Sequence, residues 1–273
     1  MMSLNSPTIN TSESQSENTF LKQVANSFGK ACDSYLPAAR LQQQVALTAL
    51  GMLSVNRKDK LLDLGCGPGW IHPELNNRCN EFCAVDLSAG MLKKAQSLHL
   101  ATNYVQADAA ALPLKTAQFD AVFSSLMLQW CPRPDAVFAE AARVLAPGGQ
   151  LIITTLVQGT LIELQGAFAT LDQKPHTQLF LPEAELMKAA ANVPQVSWHF
   201  KQRNYSLFYP DVQSLARELK ALGANQVAGR SATGLTGKGY WQKLAAAYEK
   251  HRTALGLPAS YQVLFITGTK NAS

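Results

Sequence analysis

Three glycines at alternate positions, Gly65, Gly67 and Gly69, follow the short apolar run Leu61-Leu62-Asp63-Leu64. Glycine has no Cβ, so such a loop lets the main chain approach a ligand closely. Two further carboxylates follow apolar runs downstream, Asp86 in "CAVDLS" and Asp108 in "VQADAA". Placed after three successive strands, these acids suit a nucleoside ligand. Asp63 orients a charged amino group, partly through the loop backbone; Asp86 accepts from both ribose hydroxyls; Asp108 accepts from an adenine amino group.

The spacing narrows the ligand. A dinucleotide loop prefers G-x-G-x-x-G, with its pyrophosphate at a helix N-terminus. Here the pattern is G-x-G-x-G, and Trp70 fills the slot of the last glycine in the dinucleotide form. No Lys-Ser/Thr pair follows, which excludes a P-loop. A sulfonium nucleoside, without phosphates but with a charged amino-acid tail, fits the remaining pattern.

The elements that must hold these residues alternate along the chain. "LLDLG", "EFCAVDLS", "TNYVQADA", "FDAVFSSLML" and "QLIITTLV" read as strands. "AGMLKKAQSL" and "RPDAVFAEAARVLAPGG" read as helices, the second stopped by Pro147-Gly148-Gly149. Strand–helix alternation predicts an α/β fold with a doubly wound, mostly parallel sheet. Before it, Phe20, Val24, Phe28, Ala31 and Tyr35 recur at helical steps, Pro37 interrupts, and Leu41, Val45, Thr48 and Met52 continue on a second helix. After it come two helices, one or two strands over "QVSWHFKQRNYSLFYP", and a helix capped by Asp211 that ends before Gly223. A glycine-rich loop, another helix and a final strand, "YQVLFITGTK", complete the chain.

The expected organisation is a disordered tail over 1–18 and one domain over 19–273. That domain divides into a helical cap at 19–57, a cofactor-binding core at 58–157, and a substrate-covering segment at 158–273.

Composition excludes several classes. No run approaches the roughly 18 apolar residues of a membrane span, and the polar start has no signal-peptide pattern. A cytoplasmic protein is expected. The net charge of +5 is mild and its basic residues are scattered, so no nucleic-acid arm is present. Five cysteines, an odd count, favour free thiols. Cys79 and Cys83 lack a second Cys/His pair at finger-like spacing, and no metal site is expected.

"LLDLGCGPGW", "VDLS", "QADAAALPL", "FDAVFSSLMLQW" and "ARVLAPGGQLIITT" together resemble, in order and spacing, the motifs of class I S-adenosylmethionine-dependent methyltransferases. The resemblance covers about residues 58–156. It implies a Rossmann-like fold with seven strands, a helical N-terminal cap and a C-terminal insertion, and S-adenosyl-L-methionine as cofactor. On it, Asp63, Gly65, Cys66, Gly67 and Gly69 serve the methionine part, Asp86 and Leu87 the ribose, Asp108 and Ala109 the adenine. Leu126 or its neighbours face the methyl group.

The flanks resemble a narrower family. "VANSFGKACDSYLPAARLQQQVA", "LARELKALGANQV", "GRSATGLTGKGYWQKL" and "YQVLF" are similar to malonyl-[acyl-carrier protein] O-methyltransferases, which act early in biotin synthesis. This resemblance implies methylation of the free carboxylate of a malonyl thioester, borne by an acyl-carrier protein or coenzyme A. Another small acid or a quinone-type acceptor is the alternative.

A carboxylate ionises near pH 4 and needs no general base, so alignment is the main task. An anionic acceptor asks for an anchor that holds one oxygen and leaves the other free to react. Arg203 and Arg230 are candidates, with Arg40 a third; Tyr35 offers a neutral hydrogen bond, and Gln129 and Trp130 wall the acceptor site. Lys22, Lys30, Lys220, Lys238 and Lys243 are candidate contacts for an acidic carrier.

Overall fold

The computed structural model describes residues 11–54, 59–224 and 237–272. Its strands in chain order are β1 (Lys60–Leu64), β2 (Glu81–Asp86), β3 (Asn103–Gln106), β4 (Phe119–Ser125), β5 (Leu145–Leu156), β6 (Val196–Tyr209) and β7 (Leu257–Lys270). They form one sheet in the order β3-β2-β1-β4-β5-β7-β6. Strands β1 to β5 are parallel, and β7 lies antiparallel between β5 and β6. The expected doubly wound, mostly parallel seven-stranded sheet is the fold of this chain.

β1 pairs with β2 on one side and β4 on the other, so the winding reverses direction beside it. At such a point the crevice outside the carboxyl ends of the strands is open to a ligand. Residues 61–64 are all buried, because helices cover both faces of a parallel sheet. Strand alternation divides them. Leu62 and Leu64 pack with Val122, Leu151 and Ile153 on one face, and Leu61 packs with Phe123, Ile152 and Phe265 on the other. Asp63 follows Leu61's face, where a carboxylate needs a polar partner.

The helices are α1 (Thr11–Ala31), α2 (Tyr35–Ala38), α3 (Arg40–Leu50), α4 (His72–Arg78), α5 (Ala89–Gln96), α6 (Pro134–Val144), α7 (Ile162–Ala169), α8 (Glu183–Ala191), α9 (Val212–Ala221) and α10 (Lys238–Glu249). α1 crosses α5 at close range: a Cβ on Gly90 would meet the Gly29 Cα at 2.8 Å, and Ser88 Oγ donates to the Ala25 carbonyl at 2.8 Å. This crossing carries the N-terminal helix over the carboxyl ends of the sheet. The Asp211 carboxylate caps α9, accepting from the Ser214 N–H at 2.6 Å.

Several boundaries differ from the sequence reading. The first helix begins at Thr11, within the stretch expected to be disordered, and the chain breaks helix at 32–34 rather than at Pro37. Pro37 sits inside the short helix α2 instead, near its start, where a missing N–H is tolerated. α6 ends at Val144, three residues before Pro147, because Leu145 already pairs with Phe119. β6 is one strand of 14 residues, held along its whole length by β7. The short helix α4 was not read from the sequence.

Candidate active site

All three loop glycines hold positive φ, in the region that strains other residues. Their surroundings separate their roles. A Cβ on Gly67 would meet nothing within 4 Å, so its bare face looks into open space. A Cβ on Gly69 would lie 2.7 Å from His72 Nδ1 and 2.9 Å from the Ala95 side chain. Gly69 therefore serves packing, and it lines none of the cavities around the loop. The ring it packs against is the missing partner of Asp63: His72 Nε2 and Asp63 Oδ2 are 3.1 Å apart and both side chains are buried. β1 and α4 are thus locked together behind the loop.

A cavity of about 100 Å³ opens in front of it. Its walls include Gly65, Gly67, Asp86, Leu87, Asp108, Ala109 and Leu126 from the sheet side, and Leu21, Val24 and Phe28 from α1. Asp86 Oδ2 accepts from the Gly67 N–H and Oδ1 from the Ser88 N–H, each at 2.8 Å. Burial pushes the Asp86 carboxyl up to about 6, opposed by those two bonds and assisted by nearby Asp63. Asp108 Oδ1 accepts from the Ala110 N–H at 2.9 Å. Cys131, in the same wall, is pushed up to about 12 by burial first and by Asp108 and Asp86 next. It is a protonated apolar surface, not a nucleophile.

A side pocket of about 30 Å³ continues past the loop between Asp63, Cys66, Gly67, Tyr35 and Gln42. The Gln42 Oε1 atom is buried with no hydrogen-bond partner. An orphan amide oxygen and a carboxylate lining one pocket form an acceptor-rich end that favours a cationic ammonium. With an acid suited to ribose at Asp86 and another at Asp108, the residues present fit an aminoacyl nucleoside.

A second cavity, about 210 Å³, lies on the other side of Tyr35 and Trp130. Phe28, Tyr35, Leu126 and Trp130 line both this cavity and the one in front of the loop, and form the neck between them. Phe28 meets Trp130 edge to face at 5.2 Å. Burial, and then the Asp86 charge, raise the Tyr35 phenol well above its usual range, so it is a neutral hydrogen-bonding group. The far walls come from the C-terminal segment: Leu161, Phe168, His176, Gln178, Lys220 and Tyr240 among others.

The structure thus gathers Asp63, Gly65, Cys66, Gly67, Asp86, Leu87, Asp108, Ala109, Leu126, Tyr35, Gln129 and Trp130 around these cavities. Gln129 has a bracing part. Its Nε2 donates to the Leu126 carbonyl at 2.6 Å, while its Oε1 accepts from Thr155 Oγ1 and the Leu156 N–H. Arg203 is not brought to the acceptor side: it stands on β6, its guanidinium 5.3 Å from the Phe265 ring centre. Arg40 pairs with Glu218 at 2.8 Å and lies over Tyr209. Arg230 lies outside the described residues. Sequence reasoning missed Phe28, Gln42, His72 and His176 as parts of the site. The one signal available was the Asp172-x-x-x-His176 spacing, which is silent without its fold.

The five cysteines carry no disulfide. No described helix is long and apolar enough to cross a membrane.

Comparison with known proteins agrees with this geometry. Residues 62–153 match a family described as "Methyltransferase domain". The solved YcgJ protein of a Bacillus superposes with a TM-score of 0.60 at 15% identity, covering 85% of this chain and 100% of that one, which is a likeness of fold. A malonyl-[acyl-carrier protein] O-methyltransferase of Hahella chejuensis is 36% identical over 245 residues, 88% of each chain. One from Marinomonas sp. is 36% identical over 258 residues, 92% of this chain and 95% of that one. The biotin biosynthesis bifunctional protein BioHC of Cellvibrio japonicus is 38% identical over 247 residues, which are 90% of this chain but 49% of that protein. With two relatives matched along nearly their whole length, this chain belongs to the malonyl-[acyl-carrier protein] O-methyltransferase family of S-adenosylmethionine-dependent enzymes.

Proposed function

We propose that this protein transfers a methyl group from S-adenosyl-L-methionine to the free carboxylate of a malonyl thioester, giving the methyl ester. The observation that carries the reading is the neck. Two cavities of different character, one acid-lined and fitted to an aminoacyl nucleoside, the other walled by the C-terminal segment, meet only across Phe28, Tyr35, Leu126 and Trp130 among the residues lining both. The relatives' printed names supply the acceptor.

When bound, the cofactor supplies a methyl carbon on a sulfonium: a carboxylate oxygen bonds to that carbon while the carbon–sulfur pair leaves with sulfur. The chain's residues have three tasks. Asp63, Gln42 and the loop backbone hold the amino-acid end, while Asp86, Leu87, Asp108 and Ala109 hold the nucleoside. Phe28 and Trp130 exclude water from the neck, which strengthens every polar contact inside it. Tyr35 stays neutral, so it can hold an acceptor oxygen by a hydrogen bond without neutralising it. No general base is needed, because the acceptor is already ionised at neutral pH. Alignment of this kind supplies about 7–11 kcal/mol in favourable cases.

The thioester carrier is the acyl-carrier protein, with the exposed Lys30 and Lys220 among its candidate contacts. The test is direct. Incubated with S-adenosylmethionine and malonyl-carrier protein, the protein should add one methyl to the acyl group, read by mass spectrometry. Methylation of a quinone or a simple acid with no product on the malonyl thioester would overturn the reading.

A further inference from the structure

The two nitrogens of the buried His72 ring have unlike surroundings. Nε2 lies 3.1 Å from Asp63 Oδ2, while Nδ1 is buried with no hydrogen-bond partner. The backbone of Gly69 closes that edge of the ring: a Cβ built there would fall 2.7 Å from Nδ1 and 2.9 Å from Cε1. Phe82 meets the ring edge to face at 5.0 Å, and Tyr104 stands tilted to it at 6.1 Å. The fold therefore fixes the ring plane and offers an acceptor to one nitrogen alone.

The partners place the proton. A carboxylate oxygen only accepts, so the nitrogen facing it, Nε2, carries the hydrogen. A second hydrogen on Nδ1 would be a buried donor with nothing to accept it, which is costly. The ring is thus the neutral Nε2–H tautomer. A neutral donor holds the Asp63 carboxylate without cancelling its charge; an imidazolium in the same place would leave the pair with no net charge. The Asp63 side chain is only 2% exposed, and no Lys, Arg or His lines the side pocket that it borders. A carboxylate buried to that degree needs a compensating cation, and the protein supplies none at this pocket.

We propose that His72 is a positioning residue for the methyl donor: as a neutral donor it fixes Asp63 and preserves its charge, so that the carboxylate's counter-cation is the ammonium of the ligand. The inference rests on the cofactor reading above and is independent of the acceptor. His72 lines neither the cavity in front of the loop nor the side pocket, so it acts through Asp63. It also explains why the ring, Gly69 and Asp63 are packed as one unit behind the loop.

The test compares two ligands by calorimetry. S-adenosylhomocysteine and methylthioadenosine share the thioadenosine part, and only the first has the amino-acid tail. The native protein should prefer S-adenosylhomocysteine, and His72→Phe should cut that preference about 10- to 100-fold, the usual scale for a hydrogen bond to a charged group. Methylthioadenosine should bind the variant as before, which shows it folded with its nucleoside end intact. His72→Gln, which keeps an amide N–H for Asp63 but loses the ring that meets Phe82, should recover part of the preference. Full preference in His72→Phe, or an equal loss on both ligands, would overturn the positioning role. Nitrogen NMR of the native protein with S-adenosylhomocysteine gives a second reading without any substitution: the Nε2–H tautomer is expected, and an imidazolium would overturn the inference. A native protein that binds neither ligand would overturn the cofactor reading and this inference with it. Tight binding with a preference unchanged in His72→Phe would overturn the inference and leave the cofactor reading standing.

Discussion

Leu126 and Gln129 are tied across one turn: the Gln129 amide donates to the Leu126 carbonyl at 2.6 Å, and Leu126 is held at a φ of +52°. A leucine in the left-handed region costs about 1–2 kcal/mol. The Leu126 N–H offsets this by donating to the Thr154 carbonyl and hydroxyl, at 2.9 and 3.1 Å. Strain held from both sides, at the neck where the two cavities meet, fixes the wall that the two cavities share.

Gln129→Ala removes that brace and leaves the Leu126 carbonyl and the Leu156 N–H without their partner. Each orphaned buried group costs about 1–3 kcal/mol. The expected result in steady-state kinetics is a fall in kcat of roughly 10- to 100-fold with a smaller change in cofactor affinity, since the neck loosens while the nucleoside end keeps its contacts. An unchanged kcat would show that the brace is not needed for alignment.

The loop glycines should separate in mutagenesis. Gly69→Ala places a Cβ against the buried His72 ring at positive φ, and should lower stability by about 1–3 kcal/mol in urea unfolding. Gly67→Ala meets open space and costs only the backbone strain of about 1–2 kcal/mol. It should fold well yet bind cofactor poorly, because the new methyl occupies the ligand's side of the loop. Equal stability losses at both positions would contradict the division of roles.

Asp86 makes cofactor binding sensitive to mild acid. Its carboxyl is raised from 3.8 to about 6, so it loses its charge as pH falls through about 6. Ribose hydroxyls donate to the ionised form, and S-adenosylhomocysteine should bind roughly tenfold more weakly at about pH 5 than at about pH 7.5. The effect on folding has the opposite sign. An acid with a raised folded-state pKa contributes most to stability below its unfolded value and loses that contribution as pH rises to about 6. Asp86→Asn should flatten both dependences; an affinity that still titrates in the variant would point to another group.

Tyr35→Phe keeps the ring that packs at the neck and removes one hydroxyl. Folding and cofactor affinity should hold, while kcat/KM for the malonyl thioester falls about 5- to 30-fold, the scale of one neutral to charged hydrogen bond. A loss confined to cofactor affinity would place the hydroxyl on the nucleoside side instead.

Sequence alone determined the elements and acidic residues around the first cavity. Period-two and period-three-to-four patterns set the order of strands and helices, and chain order in a doubly wound sheet brings the ends of β1, β2 and β3 side by side. Asp63, Asp86 and Asp108 could therefore be placed from local pattern, because each stands at or just beyond the end of its own strand. The acceptor half was decided by tertiary structure. Phe28 comes from α1, Trp130 from the turn after β4, His176 from the loop after α7 and Tyr240 from α10, so no spacing along the chain relates them. For the same reason Arg40 and Arg203 were named for a cavity whose wall they do not form. Charge type is visible in sequence, but whether a cation faces the cavity or, like Arg40 and Arg203, lies over an aromatic ring elsewhere depends on packing between distant elements.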